Sequence, residues 1–418
     1  MNYNTCTLPN GLRVIHQPSP SQVVFCGIAV KGGTRDEQLG EEGLAHFCEH
    51  LTFKGTARRS AVQIINALEG VGGELNAFTN KEETVYYCAI LRDHFRRAVD
   101  VLCDIVFCSQ YPQHEVEKER EVVCDEIESY EDSPAELIFD DIENVLFEGH
   151  PLGHNILGTA AQVRGYNSED AQCFVNRYYR PENCIFFASG DIDFRRLVKG
   201  LGAIGPISPI RPIGPISPIS PIGPISPMAP ISPLTPPREL IRHRNTHQAH
   251  VIVGTRAYAT DDPRRWALYL LNNILGGPGM NSRLNLSLRE RNGLVYSVES
   301  SMVCYQDTGL WTVYFGCDPE DVNRCRRLVR RELNRLMQQP LSSAQLRAAK
   351  RQLQGQLAIA SDNREQFAID FAKNFLHTGK LRDLTDVMTH IDALTPEDLQ
   401  KTAVDLFADD RMTTLIYK

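Results

Sequence analysis

The chain has 418 residues and a formal net charge of −8, with 42% hydrophobic and 23% charged residues. These values are typical of globular proteins, and the length favours two domains of about 200 residues each over a single core. No apolar stretch reaches the ~18–20 residues of a membrane helix, and no basic stripe carries the interleaved aromatic residues typical of nucleic-acid binding. We therefore expect neither a membrane nor a nucleic acid among the partners.

The first residues, "MNYNTCTLPNGLRVIHQ", lead into a hairpin-like pattern and lack the features of a secretory signal or an Arg-rich presequence. With Met1 taken as the start, this predicts a cytoplasmic protein. The 12 cysteines form no CxxC pair and no regular framework, which is typical of reduced thiols in a reducing compartment. Cys88, Cys103 and Cys317 lie in apolar runs and are predicted to be core residues.

The stretch "GLAHFCEHLTFKGT" places two histidines four residues apart on a predicted helix. His46 and His50 then lie on one face, one turn apart, so both imidazoles can reach one ion. Glu49 falls on the same side, whereas Cys48 points away and is not expected to be a ligand. Neutral imidazoles suit zinc, and a nearby carboxylate can take a proton from water that a metal has activated. The alternative is a polar stripe on an ordinary helix.

A second helix, "HEVEKEREVVCDEIES", is predicted from about His114 to Ser129. Glu119 and Glu126 are seven residues apart and share a face with Val122 and Val123. A carboxylate on an apolar stripe is costly to bury unless it is paired or metal-bound, so Glu126 is predicted as the third zinc ligand and Glu119 as a carboxylate orienting a histidine. Three protein ligands would leave a position for water, as in catalytic zinc sites. The alternative is a charged, solvent-facing helix.

The two halves of the chain share a pattern. "TVYYCAILRDHFRRAVDVL" begins at Thr84 and "TVYFGCDPEDVNRCRRLV" at Thr312, and each combines a strand, a polar turn and a helix with an Arg-Arg pair. An amphipathic helix precedes each of them, at residues 43–53 and 264–275. We therefore predict an α/β fold of the α+β sandwich type, with two homologous halves of similar topology.

A proline occurs at every third position from Pro206 to Pro236. This spacing excludes helix and sheet and matches the polyproline II turn. It divides the chain into a domain at 1–202, a linker at 203–237 and a domain at 238–418. The linker is interpreted as a semi-rigid tether. A docking site for a proline-reading partner, or a row of isoleucines lying on the protein's own surface, are the alternatives.

Charge is distributed unevenly between the halves. Residues 1–202 hold 18 basic and 31 acidic residues (18 − 31 = −13), and residues 203–418 hold 26 and 21 (26 − 21 = +5). The predicted zinc site lies in the acidic half. This half is expected to attract basic peptides or the other half.

The H-x-x-E-H motif resembles that of the inverted zincins, and the chain resembles the M16 peptidases, most of all their short processing-peptidase-like branch. Glu126 follows His50 by 76 residues (126 − 50), which is the family's spacing, and Glu119 matches a second family glutamate. The resemblance implies that Asn76 and Ala77 belong to an open edge strand, on which a substrate peptide adds as an extra strand.

The resemblance also implies roles for Arg289 and Tyr296 in "LNLSLRERNGLVYSV", as an Arg/Tyr pair that holds substrate and stabilises the oxyanion in a chamber enclosed by the halves. Without it, Arg289 would be a surface helix residue and Tyr296 a core residue. The helix "SAQLRAAKRQLQGQL" carries Arg347, Lys350 and Arg351 and no glutamate, so one metal site per chain is predicted.

These observations predict a zinc-dependent endopeptidase that cleaves peptides or unfolded segments, with Glu49 as general base. The main alternative is a catalytically silent scaffold or partner subunit of the same fold, although such subunits typically lose ligands or the base. A structural zinc domain would need four protein ligands. A peptide is the expected partner, and a homodimer or pairing with a related subunit stays open. The predicted site comprises the metal ligands His46, His50 and Glu126, the catalytic residues Glu49, Glu119, Arg289 and Tyr296, and the substrate-binding residues Asn76, Ala77, Arg289 and Tyr296.

Overall fold

The computed structural model describes residues 2–203, 238–244, 246–381 and 383–418. The predicted polyproline II segment lies outside these residues. Within them the fold is mixed α/β with two sheets, as predicted. The strands are β1 (Asn4–Thr7), β2 (Arg13–Pro18), β3 (Val23–Val30), β4 (Glu74–Thr79), β5 (Thr84–Leu91), β6 (Cys184–Gly190), β7 (Glu239–Arg242), β8 (Ala249–Ala257), β9 (Val295–Cys304), β10 (Gly309–Cys317) and β11 (Thr413–Tyr417).

Helices outnumber strands in the described chain, and a π-helical turn spans Asn285–Glu290. Short 3-10 turns occupy Thr34–Asp36, Arg92–His94, Pro181–Asn183 and Asp409–Arg411. The α-helices are α1 (Leu44–Thr52), α2 (Ala61–Glu69), α3 (Phe95–Cys108), α4 (Gln113–Glu131), α5 (Pro134–Leu146), α6 (Ala160–Gly165), α7 (Ser168–Tyr178), α8 (Phe194–Ala203), α9 (Arg265–Gly276), α10 (Val322–Gln338), α11 (Ser343–Ala360), α12 (Arg364–Thr378), α13 (Leu384–Ala393) and α14 (Pro396–Leu406). No helix in the described ranges has the length and apolar character needed to cross a membrane.

The two sheets have equivalent topologies. The first has the strand order β1-β2-β6-β3-β5-β4, and the second has the order β7-β11-β8-β10-β9. The pairs β2/β6 and β7/β11 are parallel, and all other neighbouring strands are antiparallel. Apart from β1, each strand of the first sheet has a counterpart in the second at the same place in the order. The predicted duplication is confirmed at the level of topology.

The described residues form two compact units, which differ from the predicted halves by the exchange of two segments. The segment Ser129–His154, which carries α5, belongs to the second unit, and Ala360–Asp383, which carries α12, belongs to the first. The rest of the first unit is the chain up to Glu128 and from Asn155 to residue 203; the rest of the second is residue 238 to Ile359 and Leu384–Lys418.

Each exchanged helix covers one face of the sheet in its unit. Both faces of the first sheet are apolar, so both must be covered, and Phe367 and Phe371 of α12 pack on Ile185 and Phe187 of β6. In the second unit, Ile138 and Ile142 of α5 pack in one cluster with residues of β8, β10 and β11. This exchange depends on contacts between residues that are far apart in the chain, and local sequence patterns do not predict such contacts.

The predicted elements occur close to their expected bounds. The helix predicted at 43–53 is α1, the one predicted at 264–275 is α9, and the acidic helix is α4. All twelve cysteines are free, and Cys88, Cys103 and Cys317 are buried as predicted.

Candidate metal centre

The N-terminus of α1 is held by two contacts. Gly43, the residue before the helix, has a φ of 91°, and a Cβ there would come within 2.5 Å of the Leu157 carbonyl oxygen. Only glycine suits both the positive φ and this close approach. The Glu37 carboxylate accepts hydrogen bonds from the backbone N–H groups of Gly43 at 3.0 Å and Ala45 at 2.7 Å. It thereby satisfies N–H groups that a helix start leaves unpaired.

The opposite side of α1 fixes its rotation. The Cys48 thiol lies 3.7 Å from the Ala171 carbonyl oxygen in the core, so it points away from the histidines, as predicted. Thr52, one turn later, donates to the Cys48 carbonyl oxygen, and its hydroxyl lies 3.1 Å from the hydroxyls of both Tyr86 and Tyr111. Because this face of α1 packs in the core, the opposite face, which carries the two histidines, points toward the candidate site.

The three predicted ligands converge. The Glu126 carboxylate lies 3.8 Å from His46 Nε2 and 3.3 Å from His50 Nε2. One ligand atom from each residue lies within 4.8 Å of the others, and no other group of this kind occurs among the residues that the structure describes. Ligand atoms about 2.0–2.2 Å from a tetrahedral zinc ion stand about 3.3–3.6 Å apart. The three ligand atoms, which lie within 4.8 Å of one another, would have to move closer together by up to about 1.5 Å to bind such an ion.

The environment of α4 differs from the predicted apolar stripe. Val123 is fully buried, but Val122 is 49% exposed, and the Glu126 side chain is 44% exposed. The helix turns Val116, Glu119 and Val123 inward, which places Glu126 at the margin of the packed face. The stripe argument was wrong for Val122 and in treating Glu126 as buried, although Glu126 does reach the histidines.

Glu119 lies behind His50, as predicted for an orienting carboxylate. Its carboxylate lies 3.1 Å from His50 Nδ1 and 2.6 Å from the Lys54 ammonium. Burial would raise the pKa of Glu119, but the hydrogen bonds from His50 and Lys54 outweigh it and lower that pKa. The sequence interpretation missed Lys54, although it lies four residues after His50, a spacing that indicates a shared face.

The charges around the ligand atoms suit a dication. Burial lowers the pKa of His46 to about 4, so its imidazole is neutral, the form that binds metals. Burial opposes charge on His50 as well, but hydrogen bonds to Glu119 and Glu126 prevail and raise the pKa of His50 to about 9. The carboxylates that hold the proton on His50 carry negative charge, which a divalent cation would neutralise. The carboxylates of Glu49, Glu119 and Glu126 and the ammonium group of Lys54 surround the imidazole rings of His46 and His50, and their formal charges sum to −2 (−3 + 1).

Glu49 is held beside the ligands by the edge of the first sheet. It is 8% exposed, and its carboxylate accepts a hydrogen bond of 2.6 Å from the Thr79 hydroxyl at the end of β4. Burial raises the pKa of Glu49, and the Thr79 hydrogen bond opposes that rise. Thr79 was not predicted as a site residue. Its position two residues after Ala77, on the same strand face, was the available signal.

β4 is the terminal strand of the first sheet, and within the described ranges no strand pairs with its outer edge. Ala77 packs against the core that contains α1, whereas Phe78 packs in the cluster on the opposite face. The side chain of Asn76 therefore alternates away from α1, and it is exposed. Of the two substrate-binding residues predicted on this strand, only Ala77 faces the helix that carries the histidines.

Arg289 and Tyr296 belong to the second unit, where they contact each other. The Arg289 guanidinium carbon lies 5.7 Å from the centroid of the Tyr296 ring, within cation–π range. Tyr296 is 83% exposed, so the alternative of a core tyrosine is wrong. Its position explains the error, because β9 is the terminal strand of the second sheet and Tyr296 is its second residue.

The chain is similar in sequence to known protein families and to curated proteins. The family model of insulinase (peptidase family M16) matches residues 13–160, and that of the peptidase M16 inactive domain matches residues 166–353. An uncharacterized zinc protease of Streptomyces coelicolor is 34% identical over 96% of this chain and 86% of its own length. One of Bacillus subtilis is 30% identical, over 98% of this chain and 97% of its own.

Solved structures agree in fold. A protease from Helicobacter pylori is 22% identical with a TM-score of 0.88, covering 100% of this chain and 99% of its own. A peptidase M16 inactive domain from Pseudomonas fluorescens is 20% identical with a TM-score of 0.87, covering 100% and 98%. With both family models matched in order along the chain and full-length relatives above 30% identity, the chain belongs to peptidase family M16.

Proposed function

We propose that the protein is a zinc-dependent endopeptidase with His46, His50 and Glu126 as metal ligands. The observation that carries the proposal is the convergence of these three side chains beside the buried carboxylate of Glu49. The names of the relatives, zinc proteases, support the choice of metal. When bound, zinc would act as a Lewis acid toward the peptide carbonyl and would make water a stronger acid.

Glu49 is the general base in this proposal. It takes a proton from water as the water oxygen attacks the peptide carbonyl carbon, and it returns a proton to the amine nitrogen as the C–N bond breaks. The Thr79 hydrogen bond fixes one carboxylate oxygen and leaves the other for this transfer. Burial favours the role, because the raised pKa of Glu49 lies closer to neutral pH, where proton transfer in both directions is efficient.

The substrate is proposed to be a peptide in extended conformation. No described strand pairs with the outer edge of β4, and strand addition there would bind a peptide largely independently of its side chains. Arg289 and Tyr296 are proposed to hold the peptide and to stabilise its oxyanion, and the exposure of Tyr296 supports a role in binding. Strand addition requires an unfolded segment, so tightly folded proteins should resist cleavage.

The alternative, a silent partner subunit of the same fold, makes a different prediction for the metal-loaded protein. The test is digestion of a mixed peptide library by chelator-treated chain before and after addition of zinc, with products identified by mass spectrometry. The peptidase proposal predicts cleavage that is abolished by chelation and restored by zinc. Zinc-loaded protein that cleaves no member of the library would support the silent alternative.

A further inference from the structure

A groove of about 810 Å³ runs beside α10 in the second unit. Its walls come from α10, from the start of β7, and from residues of β8 and β11. Six of the lining residues are arginines: Arg238, Arg326, Arg327, Arg330, Arg331 and Arg335. The peptidase proposal assigns no role to this surface.

The equivalent position in the first unit is filled. There α8 packs on α3, the counterpart of α10, and buries Leu197 and Leu201 to 2% and 3% exposure. The Phe194 ring of α8 stacks on His16 of β2, the counterpart of β7, with ring centroids 6.0 Å apart. In the described part of the second unit, no helix equivalent to α8 covers α10. Within the described residues, this place is therefore covered by an amphipathic helix in the first unit and is open in the second.

The lining of the groove is positive. It contains six arginines and two carboxylates, and two carboxylates outside the lining also pair with these arginines, Glu148 with Arg238 at 2.7 Å and Glu332 with Arg335 at 2.8 Å, so the difference is +2 (6 − 4). The carboxylates are engaged, Glu239 with Arg326 at 2.6 Å and Asp409 with Arg330 at 2.8 Å. Arg327 has no ion pair among the described residues. Like charges brought together repel one another, and an anion in the groove would relieve that repulsion.

The donors suit phosphate rather than a nucleobase. Guanidinium groups present forked N–H donors that match phosphate oxygens. Arg238 Nε is buried and has no hydrogen-bond partner in the described chain. The lining contains no aromatic side chain on which a base could stack. The size of the groove is that of a small-molecule site.

We propose that the groove beside α10 binds small polyphosphate anions, such as tripolyphosphate or the phosphate chain of a nucleotide, through its arginines. Recognition is of the phosphates alone. Tripolyphosphate and ATP are therefore expected to bind with similar affinity, more weakly as salt increases.

The test is calorimetric titration of the full chain with tripolyphosphate, ATP and a short oligothymidylate. The test variant carries Arg327→Gln and Arg331→Gln, two exposed arginines four residues apart on α10. The matched control carries Arg347→Gln and Arg351→Gln, which have the same spacing and exposure on α11 but lie outside the groove. Circular dichroism checks that each variant is folded.

We expect one tripolyphosphate per chain, an affinity at least ~10-fold lower in the groove variant, and little change in the control. If both variants lost the same affinity for tripolyphosphate, binding would depend only on the overall positive charge of the chain, and the proposal would be wrong. So would the absence of stoichiometric binding to wild type at low salt. Oligothymidylate binding more tightly than tripolyphosphate would instead make the surface a nucleic-acid site. If the Gln variant does not fold, Arg327→Lys and Arg331→Lys replace it, since lysine keeps the charge but loses the fork.

Discussion

In the first unit, α1 and α4 carry the two histidines and the carboxylates of the candidate metal centre. Their counterparts in the second unit, α9 and α11, contain no histidine and no acidic residue. α4 has eight acidic and two basic residues, whereas α11 has three basic residues and no acidic one. Helices at equivalent places in the two units therefore carry charge of opposite sign. This is possible because the topology depends on the apolar faces that pack on the sheets, whereas the charged faces can differ.

The helices beside the sheets show the same divergence. α3 carries two arginines and two aspartates and is packed under α8, whereas α10 carries six arginines and one glutamate and lines a groove that is open among the described residues. If the metal chemistry belongs to the first unit alone, substitutions in that unit should change turnover and zinc binding, and substitutions in the second should change substrate handling or stability.

The largest effect is expected from Glu49→Gln. The amide keeps the shape of the side chain but cannot accept the proton, so kcat should fall by ~10²–10⁴-fold. Zinc content should be unchanged, since Glu49 is not a proposed ligand. Kinetics on a single fluorogenic peptide measures this, with Glu128→Gln, an exposed change on α4, as control. Normal turnover by fully zinc-loaded Glu49→Gln would exclude Glu49 as the base.

Glu119→Gln should weaken zinc binding by ~10–100-fold, the usual cost of losing the partner of a metal-binding histidine. The physical reason is that Glu119 holds the His50 ring through Nδ1. Competition with a zinc-sensitive chelating dye measures the affinity. The exposed Glu121→Gln, on the same helix, should bind zinc like wild type. Equal affinity in both variants would make Glu119 a structural residue only.

Tyr296→Phe should lower kcat by about tenfold and leave the melting temperature unchanged, because the side chain is 83% exposed. The matched change in the same unit is Tyr314→Phe. That hydroxyl lies 2.8 Å from His250 Nδ1 in a buried setting, so its loss should cost about 1 kcal/mol of stability and leave kcat unchanged. A drop in melting temperature for Tyr296→Phe without a change in kcat would contradict the assignment.

The smallest effect concerns the docking of α12 on the first unit. Glu83 is buried, which would raise its pKa, but His377 and Lys373 of α12 outweigh burial and lower the pKa of Glu83 to about 2. A carboxyl with a depressed pKa stabilises the fold above its unfolded pKa of about 4.5, and this stability is lost as pH falls toward 2. The melting temperature of wild type should exceed that of Glu83→Gln by a few degrees at pH 6.

That difference should narrow between pH 5 and pH 3, as Glu83 begins to bind a proton in the unfolded chain and then in the folded one. Thermal unfolding of both proteins across this range measures it. A difference that is constant with pH would show that the charge of Glu83 does not contribute to docking.

Sequence patterns alone were sufficient to predict which side chains share a helix face in the candidate site. The four-residue spacing of His46 and His50 and the seven-residue spacing of Glu119 and Glu126 report helix faces directly, and the structure brings these side chains together. Lys54 and Thr79 were missed because their roles depend on which carboxylate each one meets, a tertiary property. The exchange of α5 and α12 was missed for the same reason, since nothing in either helix specifies which sheet it covers.

We propose that each chain has one metal site and that this site lies in the first unit. Elemental analysis of purified, zinc-reconstituted protein tests it most directly, comparing wild type with His50→Ala and with His390→Ala, a histidine of the second unit that stacks on Trp266. We predict about one zinc per chain in wild type and His390→Ala, and almost none in His50→Ala. A full complement of zinc in His50→Ala, or two ions per wild-type chain, would contradict a single site at His46, His50 and Glu126.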